Sequence, residues 1–315
     1  MRHLITTYCI LLSILFWSCK QDQSGATKTV AKEKTAVAVN SNQEKEVPIS
    51  DEFKAYWYSG KAEINSYALK QSRYGEIRDG EVVLIFVTEP FSLSKQVKLD
   101  RPKAAGSDKI SVLKLNNIRK FNTGIYDYSI VTSTFTPIQT QKYPNTLKVN
   151  TSVQEWCGHT FTQLNLGETQ YKFQQFSYFE SEGDTEKNIS IALLEDELMS
   201  RIRISNGQLP LGDTDIILST LYSRFAHKDL DVAKANISKT ETDSTMQYTI
   251  AYQNYNRTVS IQVEKHFPYK ILSWIEDDGN GLITEAHLIM SINEPYWNQK
   301  KRTDEKLREE LQLVK

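Results

Sequence analysis

The feature that most constrains the fold is a series of short apolar segments joined by turn-forming residues. Six consecutive apolar residues, Val82–Val87, are typical of a strand that is covered on both faces. Asp79-Gly80 precedes this run and predicts a tight turn back to a strand at 72–77. Apolar and polar residues alternate at Tyr248–Tyr252 and again at Val259–Val263, which predicts a second hairpin.

A third hairpin is predicted where two apolar segments, 271–275 and 282–292, flank the stretch Asp277–Gly281. Consecutive hairpins pair antiparallel. The return strand is expected to place five apolar side chains on one face, since alternate residues of a strand share a face: Leu282, Ala286, Leu288, Met290 and Ile292.

Two stretches of the sequence predict helices, and a third fits either a helix or a strand. Leucine and isoleucine recur four residues apart in Ala192–Ile202, which favours a helix. Asp215–Phe225 fits a helix or a strand equally, because Ile216-Ile217-Leu218 suits both. At 303–313, Leu307 and Leu311 form only a thin apolar stripe, which predicts a short, loosely packed helix. We therefore predict a mainly β fold: one large curved antiparallel sheet, half-barrel or sandwich with a few short helices.

Composition divides the chain into segments. Residues 20–50 contain no aromatic residue and are rich in Lys, Glu, Gln, Thr, Ser and Ala, so they cannot bury enough apolar area to offset the entropy of ordering. Together with Cys19 they are predicted to form a flexible tether at 19–50. Nearly all aromatic residues fall between Phe53 and Trp297. We predict one β-rich globular domain at 51–300 and a helical tail at 301–315.

The first 18 residues have the parts of a secretory signal peptide. Arg2 and His3 precede an apolar stretch that ends in the small residue Ser18. This stretch is shorter than the roughly 20 apolar residues that span a bilayer. Ser18-Cys19 resembles the lipobox of bacterial lipoproteins, with Phe16 where that family more often has Leu.

The lipobox resemblance implies cleavage after Ser18, acylation of Cys19 with palmitate-type chains, and no membrane span in the mature protein. It also implies a place in the cell envelope. Lys20 and Asp22 form no obvious signal for retention at the inner membrane, so we expect the outer membrane, on its periplasmic or surface face. The alternative is an ordinary secretory signal, with Cys19 incidental.

Charge argues against nucleic-acid binding. Without Arg2 the chain has 37 basic and 39 acidic residues, a net charge of −2, whereas nucleic-acid binders usually carry clustered basic surface. The sequence has no phosphate-binding glycine loop, no serine nucleophile elbow and no zinc-protease helix. We predict no cofactor and no metal.

The most chemically suggestive segment is Gln154–Phe161. Cys157 and His159 are two residues apart and would share a face of a strand, with Glu155 as an orienting carboxylate. This arrangement predicts, as one alternative, a cysteine-dependent hydrolase or transferase. The interpretation that we favour is a buried free cysteine beside a core tryptophan, because free cysteine is among the most buried residue types. A zinc site would need further ligands, for which the candidates are His227, His266 and His287.

Aromatic residues at strand-like spacing offer a second candidate site. Tyrosines on strands can line a groove for an apolar or glycan ligand, but tyrosine also has a high strand propensity and packs well across strands, which we favour. The spacing slips by one residue at Gln174-Gln175, which predicts a β-bulge. The candidate ligand-binding tyrosines are Tyr56, Tyr58, Tyr126, Tyr128 and Tyr178.

Five segments carry a resemblance to a known group of proteins: Tyr56–Ile64, Arg73–Ile77, Phe121–Tyr126, Gln154–His159 and Tyr178–Gly183. Over most of its length after the tether, the chain resembles a group of Bacteroidota envelope lipoproteins of unassigned function. Members are sometimes labelled "septum formation inhibitor Maf". True Maf proteins are cytoplasmic nucleotide pyrophosphatases with an α/β fold and an N-terminal Leu-Ala-Ser-x-Ser-x-Arg-Arg stretch, which this sequence lacks. The resemblance implies an exported, β-rich protein and no particular catalytic residue.

These observations predict a membrane-anchored envelope lipoprotein. We expect a non-catalytic binding or assembly module, whose partner is an apolar or glycan ligand or another envelope protein. The alternative remains an enzyme that uses Cys157 with His159.

Overall fold

A computed structural model describes residues 49–313, and most of them belong to one sheet. Cys19 and the predicted signal peptide lie outside the described residues, as does the tether up to residue 48. The strands are β1 (Ala62–Arg73), β2 (Glu76–Ser92), β3 (Lys109–Thr123), β4 (Tyr126–Pro137), β5 (Lys148–Glu155), β6 (Gly158–Leu166), β7 (Gln170–Ser177), β8 (Thr185–Ser190), β9 (Leu193–Leu194), β10 (Gly212–Ile217), β11 (Val232–Glu241), β12 (Thr245–Tyr252), β13 (Thr258–Glu264), β14 (Ile271–Asp277) and β15 (Ile283–Glu294).

Four short α-helices accompany the strands in this part of the chain: α1 (Asp51–Trp57), α2 (Leu198–Ile204), α3 (Thr220–Ala226) and α4 (Lys306–Glu310). Short 3-10 turns precede α2 and α4, at Glu195–Glu197 and Arg302–Glu305. None of the helices within residues 49–313 is long and apolar enough to cross a bilayer. The prediction of a mainly β fold with a few short helices is confirmed.

The sheet consists of two meandering arms. Strands β1–β8 form the N-terminal arm and β9–β15 form the C-terminal arm, and β1 pairs with β15 in the middle of the sheet. Among the described strands, the pairing is antiparallel except between β9 and β10. Because the arms extend in opposite directions from the centre, β8 and β9 are the two outer edges.

A very short connection forces this sheet to curl. Only Ile191 and Ala192 separate the end of β8 from the start of β9, although the two strands lie at opposite edges. Three Cα–Cα steps of 3.8 Å cover at most about 11 Å. The two edges must therefore approach each other at this end, which makes the sheet a curved, open half-barrel.

Helices fill the concave side of the half-barrel. Helix α2 contacts β3 and β4, and α3 contacts β5. Leu198 and Ile202 of α2 and Leu221 of α3 are buried in the same core as Val259 and Trp274 of the C-terminal arm. Burying a side chain of this kind contributes about 1.5–3 kcal/mol, so the helices stabilise the curvature of the sheet.

Strand β2 is covered on both faces, as its six consecutive apolar residues predict. Alternate residues Val82, Leu84 and Phe86 are buried in the main core, because successive side chains point to opposite faces. On the other face, Val83 and Val87 pack in a second cluster against the C-terminal segment. Leu311 is only 5% exposed in that cluster, so the prediction of a loosely packed C-terminal helix is wrong at this residue.

The first predicted hairpin is wrong in its pairing, because the stretch 72–77, predicted as one strand, contains the turn between β1 and β2. Asp79-Gly80 is inside β2, and the turn is formed by Tyr74 and Gly75, whose φ angles of 55° and 74° are both positive. Such angles suit a two-residue hairpin turn. A Cβ on Gly80 would lie 2.3 Å from the Lys120 carbonyl oxygen. Glycine at residue 80 therefore allows β3 to approach closely rather than making a turn.

The second and third hairpins are confirmed by the pairs β12–β13 and β14–β15. The single apolar face predicted for the return strand is wrong. The register of β1 against β15 shifts between Ser66 and Tyr67, which pair with Met290 and Leu288. The unpaired residue between them moves Met290 to the outer cluster, whereas Leu288 packs against the main core.

Two further local predictions are corrected by the structure. Gln174 and Gln175 pair in unbroken register with Gln163 and Thr162, so β7 has no bulge there. Phe176 follows the normal alternation and is half exposed. The predicted helix at 192–202 begins later, at the 3-10 turn Glu195–Glu197, and continues as α2. The ambiguous stretch 215–225 contains both elements, the end of β10 and most of α3.

Candidate functional site

Cys157 lies in an exposed turn, not in the core. Trp156 and Cys157 form the two-residue connection between β5 and β6, where Glu155 pairs with Gly158. Trp156 is 67% exposed, and its indole nitrogen donates to Asp127 at 2.7 Å. The predicted buried cysteine beside a core tryptophan is therefore wrong, because a two-residue turn at the tip of a hairpin leaves both side chains in solvent.

The turn also changes the relation between the three candidate catalytic residues. His159 lies on β6 opposite Gln154, whereas Cys157 precedes the strand, so alternation along one strand does not relate them. The Cys157 backbone N–H donates to the Glu155 carboxylate at 2.7 Å. A hydrogen bond to Glu155 and its negative charge raise the pKa of the Cys157 thiol. A raised pKa disfavours the thiolate that a nucleophilic mechanism needs.

We therefore predict slow thiol chemistry at an accessible cysteine. Labelling of native protein with a thiol reagent across pH is expected to have a midpoint above the ordinary value of about 8.5, because Glu155 destabilises the thiolate. Glu155→Gln should lower that midpoint by removing the charge. A wild-type midpoint well below the ordinary value would contradict this prediction and support the hydrolase alternative.

The five candidate ligand-binding tyrosines do not lie together. Tyr56 is on α1 and Tyr58 directly follows it, so their predicted place on a strand is wrong. The Tyr56 hydroxyl donates a hydrogen bond to the carboxylate of the buried Glu63. At the opposite end of β1, Tyr126 and Tyr128 begin β4, and Tyr128 is 3% exposed, stacked on Phe121.

Tyr178, the fifth candidate, is 73% exposed and lies at the β7–β8 loop. Its ring covers Gly158, where an added Cβ would lie 2.5 Å from the ring. This contact fixes Tyr178 against the neighbouring hairpin rather than in a concave site.

A concave site occurs elsewhere, where the inner face of β6–β8 meets α3. We call it the seam cleft, and its volume is about 480 Å³, within the usual range of about 300–1,000 Å³ for small-molecule sites. One wall consists of strand residues and the β7–β8 loop, and the other consists of α3 and the loop that leads to β11. Its lining residues include Thr162, Phe173, Gln175, Glu182, Lys187 and, across the cleft, Thr220, Ser223, Arg224, His227, Lys228 and Asp229.

An ion-pair clasp joins the two walls. Glu182 of the β7–β8 loop accepts hydrogen bonds from the Arg224 guanidinium at 2.6 Å and from His227 Nδ1 at 2.9 Å. Its other carboxylate oxygen accepts from the Ser177 hydroxyl. Arg224 also lies over the Phe179 ring, 4.6 Å from its centroid. The side chains of Arg224 and Glu182 are only 9% and 13% exposed, so solvent screens this pair little.

Three polar atoms at the seam cleft have no hydrogen-bond partner: Thr162 Oγ1, Ser223 Oγ and Arg224 Nε. Thr162 and Ser223 are 6% and 7% exposed. Buried polar groups nearly always have partners, because leaving one unsatisfied costs about 1–3 kcal/mol. These atoms are themselves shielded from solvent, so a ligand in the cleft would reach the two hydroxyls after rotation about their χ1 angles.

A chain of hydroxyls leads from the seam cleft to the partly buried carboxylate of Asp196. The Thr220 hydroxyl donates to Asp196 at 2.8 Å and lies 2.6 Å from the Thr151 hydroxyl, which in turn lies 2.9 Å from that of Thr132. Asp196 lines a small cavity of about 60 Å³, which Trp274 also lines. Burial raises the pKa of Asp196 to about 6, although the hydrogen bonds from Thr220 oppose this increase.

The seam cleft was not predicted from the sequence, but β8 carries one signal of it. Thr185, Lys187 and Ile189 alternate on one face of β8, and Ile189 is buried. Lys187 is therefore an inward-facing charge on a face that otherwise enters the core. Within residues 49–313, no group of three or more His, Cys, Asp or Glu residues is arranged to bind a metal ion.

Comparisons with known proteins give one structural likeness. No protein-family model and no curated protein matches the chain. A solved structure of a β-barrel-like protein of domain of unknown function DUF1849 from Brucella abortus is similar in part. The TM-score is 0.42 at 9% sequence identity, over 74% of this chain and 96% of that one.

Proposed function

We propose that this protein is a non-catalytic binding module that holds a small glycan in the seam cleft. The three unpartnered polar atoms of Thr162, Ser223 and Arg224 carry the proposal. The cleft of about 480 Å³ is lined by hydroxyl, amide and charged side chains and by the Phe173 ring. Hydroxyl-rich linings of this kind match the many donors and acceptors of a sugar, and an aromatic ring matches its apolar face.

We also propose that the module is attached to the outer membrane through acylated Cys19. The apolar stretch that ends in Ser18-Cys19 supports the anchor. The tether of about 30 residues would let the binding domain sample the space near the membrane, because a flexible chain of that length spans about 30 Å. A binding module of this kind would concentrate its ligand at the envelope.

The unpartnered hydroxyls lead to an unusual prediction for stability. Thr162→Val and Ser223→Ala are each expected to leave the free energy of unfolding unchanged or raise it by up to about 1 kcal/mol, because each removes an unsatisfied buried group. The matched control is Thr151→Val, which removes a hydroxyl with two partners and should cost about 1–2 kcal/mol. Urea unfolding of the full chain, with Cys19→Ser to prevent acylation, measures these changes.

The same variants test binding. Neutral and acidic mono- and disaccharides are titrated into the unacylated full chain by calorimetry, and at least one should bind. The affinity of that sugar should fall about tenfold in Thr162→Val and in Ser223→Ala, because each substitution removes a protein hydroxyl that hydrogen-bonds to the ligand. Binding by none of the sugars would overturn the proposal. A clear loss of stability in both variants would also count against it, since the hydroxyls would then be structural.

A further inference from the structure

The charges at the seam cleft indicate the chemical class of its ligand. Three cationic and two acidic side chains line the cleft, a net charge of +1 with His227 neutral. One of the acids, Glu182, already accepts hydrogen bonds from Ser177, Arg224 and His227. Glu182 and Arg224 therefore compensate each other, and the remaining excess of one positive charge comes from Lys187 and Lys228 against Asp229.

Lys187 is the most informative of these charges. It faces the interior from the edge strand β8, is partly buried and pairs in register with Phe173. Its ammonium group lies 5.9 Å from the centroid of the Phe173 ring, and it forms no salt bridge with a described residue. Inward-facing charges also protect edge strands from adding further strands. A negative ligand in the cleft would give this ammonium group a counter-ion.

Arg224, on the α3 wall of the seam cleft, complements this lysine. Arg224 uses one terminal nitrogen to bind Glu182, whereas its Nε has no partner. The adjacent Ser223 and the facing Thr162 offer hydroxyl donors. A guanidinium N–H, an ammonium group and two hydroxyls together form a donor set suited to the oxygens of a carboxylate or phosphate.

We propose that the ligand of the seam cleft is an anionic sugar, whose charged group is bound by Lys187 and Arg224. This inference rests on the glycan-binding function proposed above. The hydroxyls of Thr162 and Ser223 then bind either the same oxyanion or the neighbouring sugar hydroxyls, after rotation about their χ1 angles. The Glu182 clasp fixes the Arg224 guanidinium for this contact.

Three matched probes test the proposal: glucose, glucuronate and glucose 6-phosphate, titrated into the unacylated full chain. At least one acid should bind about tenfold more tightly than glucose, and this preference should weaken in about 0.5 M salt. The better acid identifies the charged group as carboxylate or phosphate. Equal affinities for all three sugars would overturn the acidic-ligand proposal and leave the glycan-binding function intact. Binding by none would overturn both.

A pair of lysine variants locates the effect. Lys187→Gln should reduce the affinity for the preferred acid about tenfold and leave that for glucose unchanged, because only the charge is lost. The control is Lys172→Gln on the neighbouring strand β7, whose exposed ammonium group pairs with Glu186. It should leave both affinities unchanged. Equal effects of the two substitutions would show a general charge effect and overturn the assignment to the cleft.

Discussion

Glutamine in place of Glu63 is expected to lower the free energy of unfolding by about 3–5 kcal/mol, the usual loss when one partner of a buried ion pair is removed. The side chains of Glu63 and Arg203 are both 0% exposed, and two hydrogen bonds join them. The Arg203 guanidinium lies over the rings of Trp57 and Phe86, at 4.9 and 4.7 Å from their centroids. Glutamine keeps the shape of Glu63 but leaves that cation without a counter-ion in apolar surroundings.

The pKa of Glu63 shows how strongly this pair is coupled. Burial alone would raise its pKa, but the charge and hydrogen bonds of Arg203 outweigh burial and hold the pKa below its ordinary value. Urea unfolding of Glu63→Gln tests the prediction. The control is Glu76→Gln, which removes an exposed glutamate paired with Arg78 and should change stability little. Equal small effects of the two substitutions would contradict the prediction.

Asparagine in place of Asp196 should change how stability depends on pH. The pKa of Asp196 is about 6 in the folded protein, above the value of about 3.9 in an unfolded chain. The folded state therefore binds the proton more tightly, and the stability that this proton contributes is lost as pH rises from about 4 to about 6. Two pKa units correspond to about 3 kcal/mol. Relative to wild type, Asp196→Asn should become more stable by about that amount between pH 4 and pH 7.

Unfolding curves at several pH values measure this difference directly. Subtracting wild type from the variant cancels the contributions of the other carboxylates, many of which are paired with arginine and lose stability towards low pH. In the wild type, the Thr220 backbone N–H and hydroxyl both donate hydrogen bonds to Asp196. Asparagine at this position keeps a side-chain oxygen that can accept the same two hydrogen bonds. Parallel pH profiles for the two proteins would show that Asp196 does not titrate as its burial predicts.

Local sequence pattern was sufficient for strand β2 and for the hairpins β12–β13 and β14–β15. The six apolar residues of β2 predict a strand covered on both faces because each face needs its own apolar side chains, and both faces have partners. The turn of that hairpin was misplaced because Asp79-Gly80 satisfies the local chemistry of a turn equally well. A close approach between β2 and β3 requires Gly80, and tertiary contacts of this kind leave no local pattern.

Long-range pairs account for what the sequence did not predict. Arg203 and Glu63 are 140 residues apart, and nothing near either residue identifies its partner. The seam cleft likewise combines Thr162 and Lys187 from the sheet with Ser223 and Arg224 from α3. In its local sequence, each of these polar residues resembles an ordinary surface residue, although Thr162 and Ser223 are buried. The segment Gln154–Phe161 attracted attention because its residues are neighbours in sequence, but the fold places Cys157 in an exposed turn.

The central position of the β1–β15 pair has a consequence for biosynthesis. Strand β1 begins at Ala62 and β15 at Ile283, so the strands that meet in the middle of the sheet are the first and the last of the described strands. The N-terminal arm consists of sequential hairpins and can assemble as it emerges. Its innermost strand must nevertheless present an unpaired edge until the last strand arrives. Until β15 pairs with it, this edge is open to wrong strand partners.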